Sequence, residues 1–128
     1  MEPQNAADAY RQASIENAPP IKIVRMLYQG ALRFLDRAAQ EDPASADSKF
    51  FEYLERVDAI VTELRIAIDS SVDGAPTEDL ERLYLFCEDQ IGSAGLERSS
   101  ERLASVRQVL ETLLEAWKGV ELEVGTVR

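Results

Sequence analysis

The chain has 128 residues, 45% of them hydrophobic, which is enough for one domain with a core that needs no disulfide or structural metal. Its 24 acidic and 14 basic residues give a formal net charge of -10, a field that repels a phosphate backbone and argues against a nucleic acid partner. Histidine is absent, which removes His-based triads, most catalytic zinc sites and the Glu-x-x-His pattern of di-iron bundles; the single cysteine, Cys87, rules out an intrachain disulfide.

The first 16 or so residues form a polar arm with isolated apolar positions, among them Tyr10 and Ile15, and are expected to be mobile or docked on the rest. They contain no basic stretch followed by an apolar one, and no later segment has the roughly 20 apolar residues that span a bilayer. A cytoplasmic protein without membrane insertion is therefore expected.

Helical spacing then recurs four times. The first predicted helix covers about residues 20 to 40, with Pro20 suited to an initial turn. Its polar residues Lys22, Arg25, Gln29, Arg33, Asp36, Arg37 and Gln40 fall within about a third of the circumference, leaving a wide apolar arc that must touch several neighbours or offer a groove. Gly30 interrupts that arc at a cost of roughly 1 kcal/mol relative to Ala, which close approach of another helix, or direct contact with a partner, would explain.

A second helix is predicted over about residues 45 to 71. Phe50, Leu54, Val57, Val61, Leu64 and Ile68 alternate by four and three along it, and Phe51, Tyr53, Ile60 and Ala67 widen that seam. The third, about 76 to 92, turns Leu80, Leu83, Tyr84, Cys87 and Ile91 inward, with Gly92 and Gly95 marking its end. The fourth, about 97 to 118, carries Leu103, Val106, Leu110, Leu113 and Trp117, with Gly119 as its stop. The tail VELEVGTVR alternates apolar and acidic residues; a frayed terminus is expected there in preference to an edge strand. Four amphipathic helices on short connections make an antiparallel all-α four-helix bundle over about residues 17 to 119, between an arm at 1–16 and a tail at 120–128.

Three pieces of the chain, AYRQ at 9 to 12, NAPPIKIVRMLYQGALRFLDRA at 17 to 38 and TLLEAWKGV at 112 to 120, together resemble the flagellar export chaperone FliS family. The matching residues are Tyr10, then Met26, Leu27, Tyr28, Gly30 and Ala31, then Leu113, Leu114, Ala116 and Trp117, while Leu83 and Tyr84 resemble a Leu-Tyr pair on the family's third helix. The sequence departs from the family pattern at Gln29, where an acidic residue is usual, in VDGAPTED before the third helix, and in LFCED after Leu83 and Tyr84.

The resemblance implies a four-helix-bundle chaperone of the bacterial cytosol. Such a protein binds the disordered C-terminal segment of flagellin, prevents its premature polymerisation and helps bring it to the flagellar export gate. A chaperone of this kind needs no catalytic residue, cofactor or metal. It needs a long apolar surface that a disordered client can cover. The candidate partner-binding residues are Tyr10, Ile15, Met26, Leu27, Tyr28, Gly30, Ala31, Leu83, Tyr84 and Trp117.

Each has a plainer alternative. Trp117 ends a heptad seam and Leu27 and Leu35 lie on an apolar arc, so core packing accounts for them; Tyr28 and Tyr84 suit either a core rim or a groove edge. Tyr10 is the residue least explained by packing. Cys87 reads as an inert buried thiol. The chaperone reading goes with a monomer or weak dimer. Two rival readings of the whole chain are a bundle that closes its apolar surface by self-association and an acid/base enzyme using paired carboxylates. The second lacks any convergent polar constellation, because the acidic residues fall on solvated helical faces.

Overall fold

A computed structural model describes residues 21–71 and 78–127. It contains four α-helices: α1 (Ile21–Gln40), α2 (Phe50–Ser71), α3 (Glu78–Glu97) and α4 (Leu103–Val127). The predicted arm with Tyr10 and Ile15, and Pro20, lie outside the described residues.

Cross-helix pairs fix the directions. Gly30 faces Ile60 and Phe34 stacks on Tyr53, so α1 and α2 run antiparallel. Leu54 lies against Gly95 while Arg65 reaches Glu88, which sets α3 antiparallel to α2. Arg25 bonds Glu121 and Asp36 pairs with Arg107, so the N-terminal end of α1 lies beside the C-terminal end of α4. Each helix packs on the two next to it around the bundle, an up-down-up-down arrangement that short connections favour. Among the described residues no strand forms, and the all-α bundle expected from the sequence is what the chain builds.

The predicted seams supply the core. Phe50, Leu54, Val57, Val61 and Leu64 of α2, Leu80, Tyr84, Cys87 and Ile91 of α3, and Leu103, Val106, Leu110, Leu113 and Trp117 of α4 are all buried. The α1 helix contributes Val24, Tyr28, Ala31, Leu35 and Ala38, spaced by three and four on one face. Removing a large apolar side chain of this kind from water stabilises the fold by roughly 1.5–3 kcal/mol.

Helix boundaries differ from expectation in three places, each for a local reason. The second helix starts at Phe50 and not near residue 45, because Asp42, Ser45 and Ser48 side chains accept the backbone N–H groups of Ala44, Asp47 and Phe50 at 3.0, 3.3 and 3.1 Å. Such short-range bonds hold the chain in turns that compete with a helix, and Ser48 satisfies one of the donors at the α2 N-terminus.

The third helix runs through Gly92 and Gly95 to Glu97, so neither glycine is its stop. Termination falls on Arg98, whose φ of 52° places it in the left-handed region. Around it the Ser99 N–H bonds the Ala94 carbonyl at 3.1 Å and the Arg98 N–H bonds the Gly95 carbonyl at 3.3 Å, the paired bonds of a Schellman cap. An arginine thus occupies the position that glycine usually takes.

The fourth helix begins at Leu103, later than predicted, and passes Gly119 to end at Val127. The tail expected as a frayed end or edge strand is helical. Val120, the residue after the glycine, is buried against the core, so packing does not stop at Gly119.

Candidate functional site

Three aromatic residues on three helices meet at the centre of the bundle. Tyr28 of α1 and Tyr84 of α3 share a hydrogen bond between their hydroxyls, with ring centroids 6.5 Å apart. Trp117 of α4 donates its indole N–H to the Tyr28 hydroxyl at 2.9 Å. All three side chains are fully buried. A buried hydroxyl or indole N–H without a partner costs free energy, so this network lets three polar aromatics fill the core and fixes how α1, α3 and α4 sit together.

The sequence-predicted site residues therefore separate by depth. Tyr28, Gly30, Ala31, Tyr84 and Trp117 are interior, Leu27 and Leu83 are half-buried against the core, and Met26 lies at the surface. The structure brings Tyr28, Tyr84 and Trp117 together and leaves Met26 apart from them. At Gly30 an added Cβ would stand 3.6 Å from Ile60 Cδ1, an ordinary van der Waals contact, so this glycine faces α2 without a steric demand for glycine.

The accessible part of the α1 arc is a stripe. Ile23 and Met26 are 43% and 50% exposed, and Leu27 and Phe34 continue the stripe at half-buried positions. Residues three, four and seven apart share a helical face, so this stripe runs past Gly30 along the α1/α2 junction, where Phe34 stacks on Tyr53 at 6.1 Å between ring centroids. Arg37 and Arg56 lie over the Phe34 ring at 5.8 and 5.5 Å from its centroid. The whole α1 helix carries Lys22, Arg25, Arg33 and Arg37 against Asp36 alone, a cationic element in a chain of net charge -10.

Sequence reasoning missed a second apolar surface, on the opposite side of α2. A groove of about 470 Å3 separates α2 from α3, with Phe51, Leu54, Ile91, Gly92, Gly95 and Leu96 along its apolar walls and floor. Leu96 is 89% exposed. Glu55, Asp58 and Glu88 border the groove. Glu88 accepts Thr62 Oγ1 at 2.5 Å and Arg65 Nε at 2.9 Å, a link that ties α2 to α3. Asp58 is held above the ordinary aspartate range, first by burial and then by the neighbouring Glu88, with Arg65 opposing. The available signal was that α3 places Leu85, Phe86 and Leu96 outside the inward set, more apolar side chains than one core face can absorb.

Cys87, buried in the core, has its thiol pushed up to about 12 by burial and by Glu88, and so stays protonated. Among the described residues no group of three or more Cys, Asp or Glu side chains is placed to hold a metal ion, and no helix is long and apolar enough to cross a membrane. The arrangement offers binding chemistry: apolar stripes between helices, bordered by charge of opposite sign on the two sides of α2.

Fold and surface thus define an antiparallel helical bundle with apolar interhelical grooves. The family model described as Flagellar protein FliS matches residues 3–124, and the chain belongs to that family. It is similar to the flagellar secretion chaperone FliS of Campylobacter jejuni, with 32% identity over 120 residues that cover 94% of each chain. It is also similar to the flagellar secretion chaperone FliS of Bacillus subtilis, at 26% identity over 90% of this chain and 85% of the relative. The flagellar secretion chaperone FliSB of Pseudomonas aeruginosa is 28% identical over 94% of this chain and 98% of its own length.

Proposed function

We propose that this protein is a chaperone of flagellar secretion that acts without catalysis, binding the disordered C-terminal segment of flagellin in the cytoplasm. It prevents premature polymerisation of that client and assists its passage to the export gate of the flagellar type III apparatus. The observation that carries this reading is the stripe of exposed Ile23 and Met26 with half-buried Leu27 on α1, in a chain of the FliS family. Apolar side chains left on the surface of a bundle with a filled core are available to a client, each Å2 that a client covers contributing roughly 25 cal/mol less the cost of ordering it.

In this scheme Tyr10 and Ile15 belong to the client-binding set. Tyr28, Ala31, Tyr84 and Trp117 act from beneath by holding α1 in place, and Leu83 and Gly30 shape the flanks.

Calorimetry with a peptide of the flagellin C-terminal segment tests the proposal. Binding to the native chain, weakened at least tenfold by Met26→Glu with an unchanged melting temperature, supports it. A folded protein that shows no heat with that peptide overturns it, and an obligate dimer that the peptide fails to dissociate points instead to a bundle closed by self-association.

A further inference from the structure

The α2/α3 groove lies apart from the α1 stripe, and its chemistry differs. Its walls are apolar, but its α2 rim presents two carboxylates one turn apart, Glu55 and Asp58. No described residue reaches either one with a hydrogen bond or an ion pair. Their neighbour Glu88 has what they lack: the Arg65 guanidinium binds it at 2.9 and 3.4 Å.

The floor is open. Nothing stands within 4 Å of a Cβ placed on Gly92, and a Cβ on Gly95 would meet only Leu54 Cδ1, at 3.8 Å. The α3 backbone is thus bare on this side, so a partner helix can approach closely, with Phe51 and the exposed Leu96 at the groove's edges.

We propose that this groove is a second docking site, independent of the flagellin reading, and that its occupant is an amphipathic helix with an apolar face bordered by lysine or arginine. The apolar face enters between Leu54 and Ile91 over the glycines. The bordering cations meet Glu55 and Asp58, as Arg65 already meets Glu88. Opposite charge at a half-buried rim contributes orientation and specificity, while apolar contact supplies most of the affinity. An acidic helix is disfavoured by the same rim.

The test uses a synthetic helical peptide of about 15 residues with a leucine face edged by lysines. Controls are the same peptide with glutamates for lysines, and a scramble of the lysine peptide that has no apolar face. Backbone chemical shifts of the labelled full chain locate binding, and their titration gives affinity.

The expected result is that the lysine peptide perturbs Leu54, Asp58, Gly92, Gly95 and Leu96, while both controls leave them in place. Glu55→Gln combined with Asp58→Asn should weaken binding roughly five- to tenfold, in line with two exposed-to-half-buried ion pairs. Gly92→Leu, at a position where an added Cβ meets nothing within 4 Å, should abolish binding without loss of helix content. Met26→Glu should leave it unchanged, which separates this groove from the α1 stripe. Shifts spread over the acidic faces of α3 and α4, equal binding of the scramble, or full affinity in Gly92→Leu would overturn the proposal.

Discussion

Trp117 donates its indole N–H to the hydroxyl of Tyr28 at 2.9 Å, inside a bundle that excludes water from both side chains. The bond joins α4 to α1 across 89 positions of sequence, and Tyr84 extends it to α3. Tyr28→Phe keeps the ring and deletes the shared hydroxyl. It should lower stability by about 1–2 kcal/mol, read from urea unfolding by the fluorescence of Trp117, the single tryptophan of the chain. A stability equal to that of the native chain would mean that ring packing alone holds the three helices.

The second prediction concerns Gly30. Because a Cβ there meets Ile60 at 3.6 Å and the flexible Arg33 side chain at 3.7 Å, alanine fits. Gly30→Ala should therefore raise stability by about 0.5–1 kcal/mol, the helix-propensity difference, and raise Tm by a few degrees. Gly119→Ala, on an exposed mid-helix position with open space around it, should do the same. Calorimetric melting of the two variants, alone and combined, checks both, and a fall in Tm for Gly30→Ala would show that Ile60 cannot accommodate the methyl group.

Asp58 makes stability depend on pH in a defined direction. Its pKa in the folded chain is raised by burial and by Glu88, so the folded state favours the neutral carboxyl. The contribution it makes is fully present below the ordinary aspartate value of 3.8 and is lost as pH rises through the higher folded value. Asp58→Asn should accordingly melt above the native chain at pH 7, with the difference shrinking as pH falls through the raised folded value and gone once pH is below 3.8. Equal melting temperatures across the range would remove the linkage. A variant that gains stability while losing the basic helix of the α2/α3 groove would show stability exchanged for binding.

Cys87 should be silent toward thiol reagents. Burial blocks access, and a thiol pushed up to about 12 carries almost no thiolate near neutral pH. Labelling with a maleimide at pH 7.5 should proceed only after unfolding in denaturant, with one site modified per chain. Rapid labelling of the folded protein would place the thiol at the surface.

Much of the fold was legible in periodicity alone. The spacing of Phe50, Leu54, Val57, Val61 and Leu64, and of Leu103, Val106, Leu110, Leu113 and Trp117, names the core because residues three and four apart must share a helical face whatever surrounds them. Helix ends were less legible. Gly92, Gly95 and Gly119 carry the chemistry of stops, yet each sits inside a helix, since packing of Ala94 and Val120 outweighs roughly 1 kcal/mol per glycine. The α3 stop fell on Arg98, a residue with no local preference for the left-handed backbone it adopts.

The candidate site divides along the same line. That α1 has more apolar surface than one neighbour can cover was decided by its composition, as was its excess of cations. Which of those residues are core and which are surface was decided by the tertiary structure: Tyr28 and Gly30 turn inward, Ile23 and Met26 outward. A single helix shows only an angle around its axis, and the positions of the neighbouring helices determine which angles are covered. For that reason the juxtaposition of Glu55 and Asp58 with the bare glycines of α3 exists only in the folded bundle, where two helices distant in sequence form the two walls of one groove.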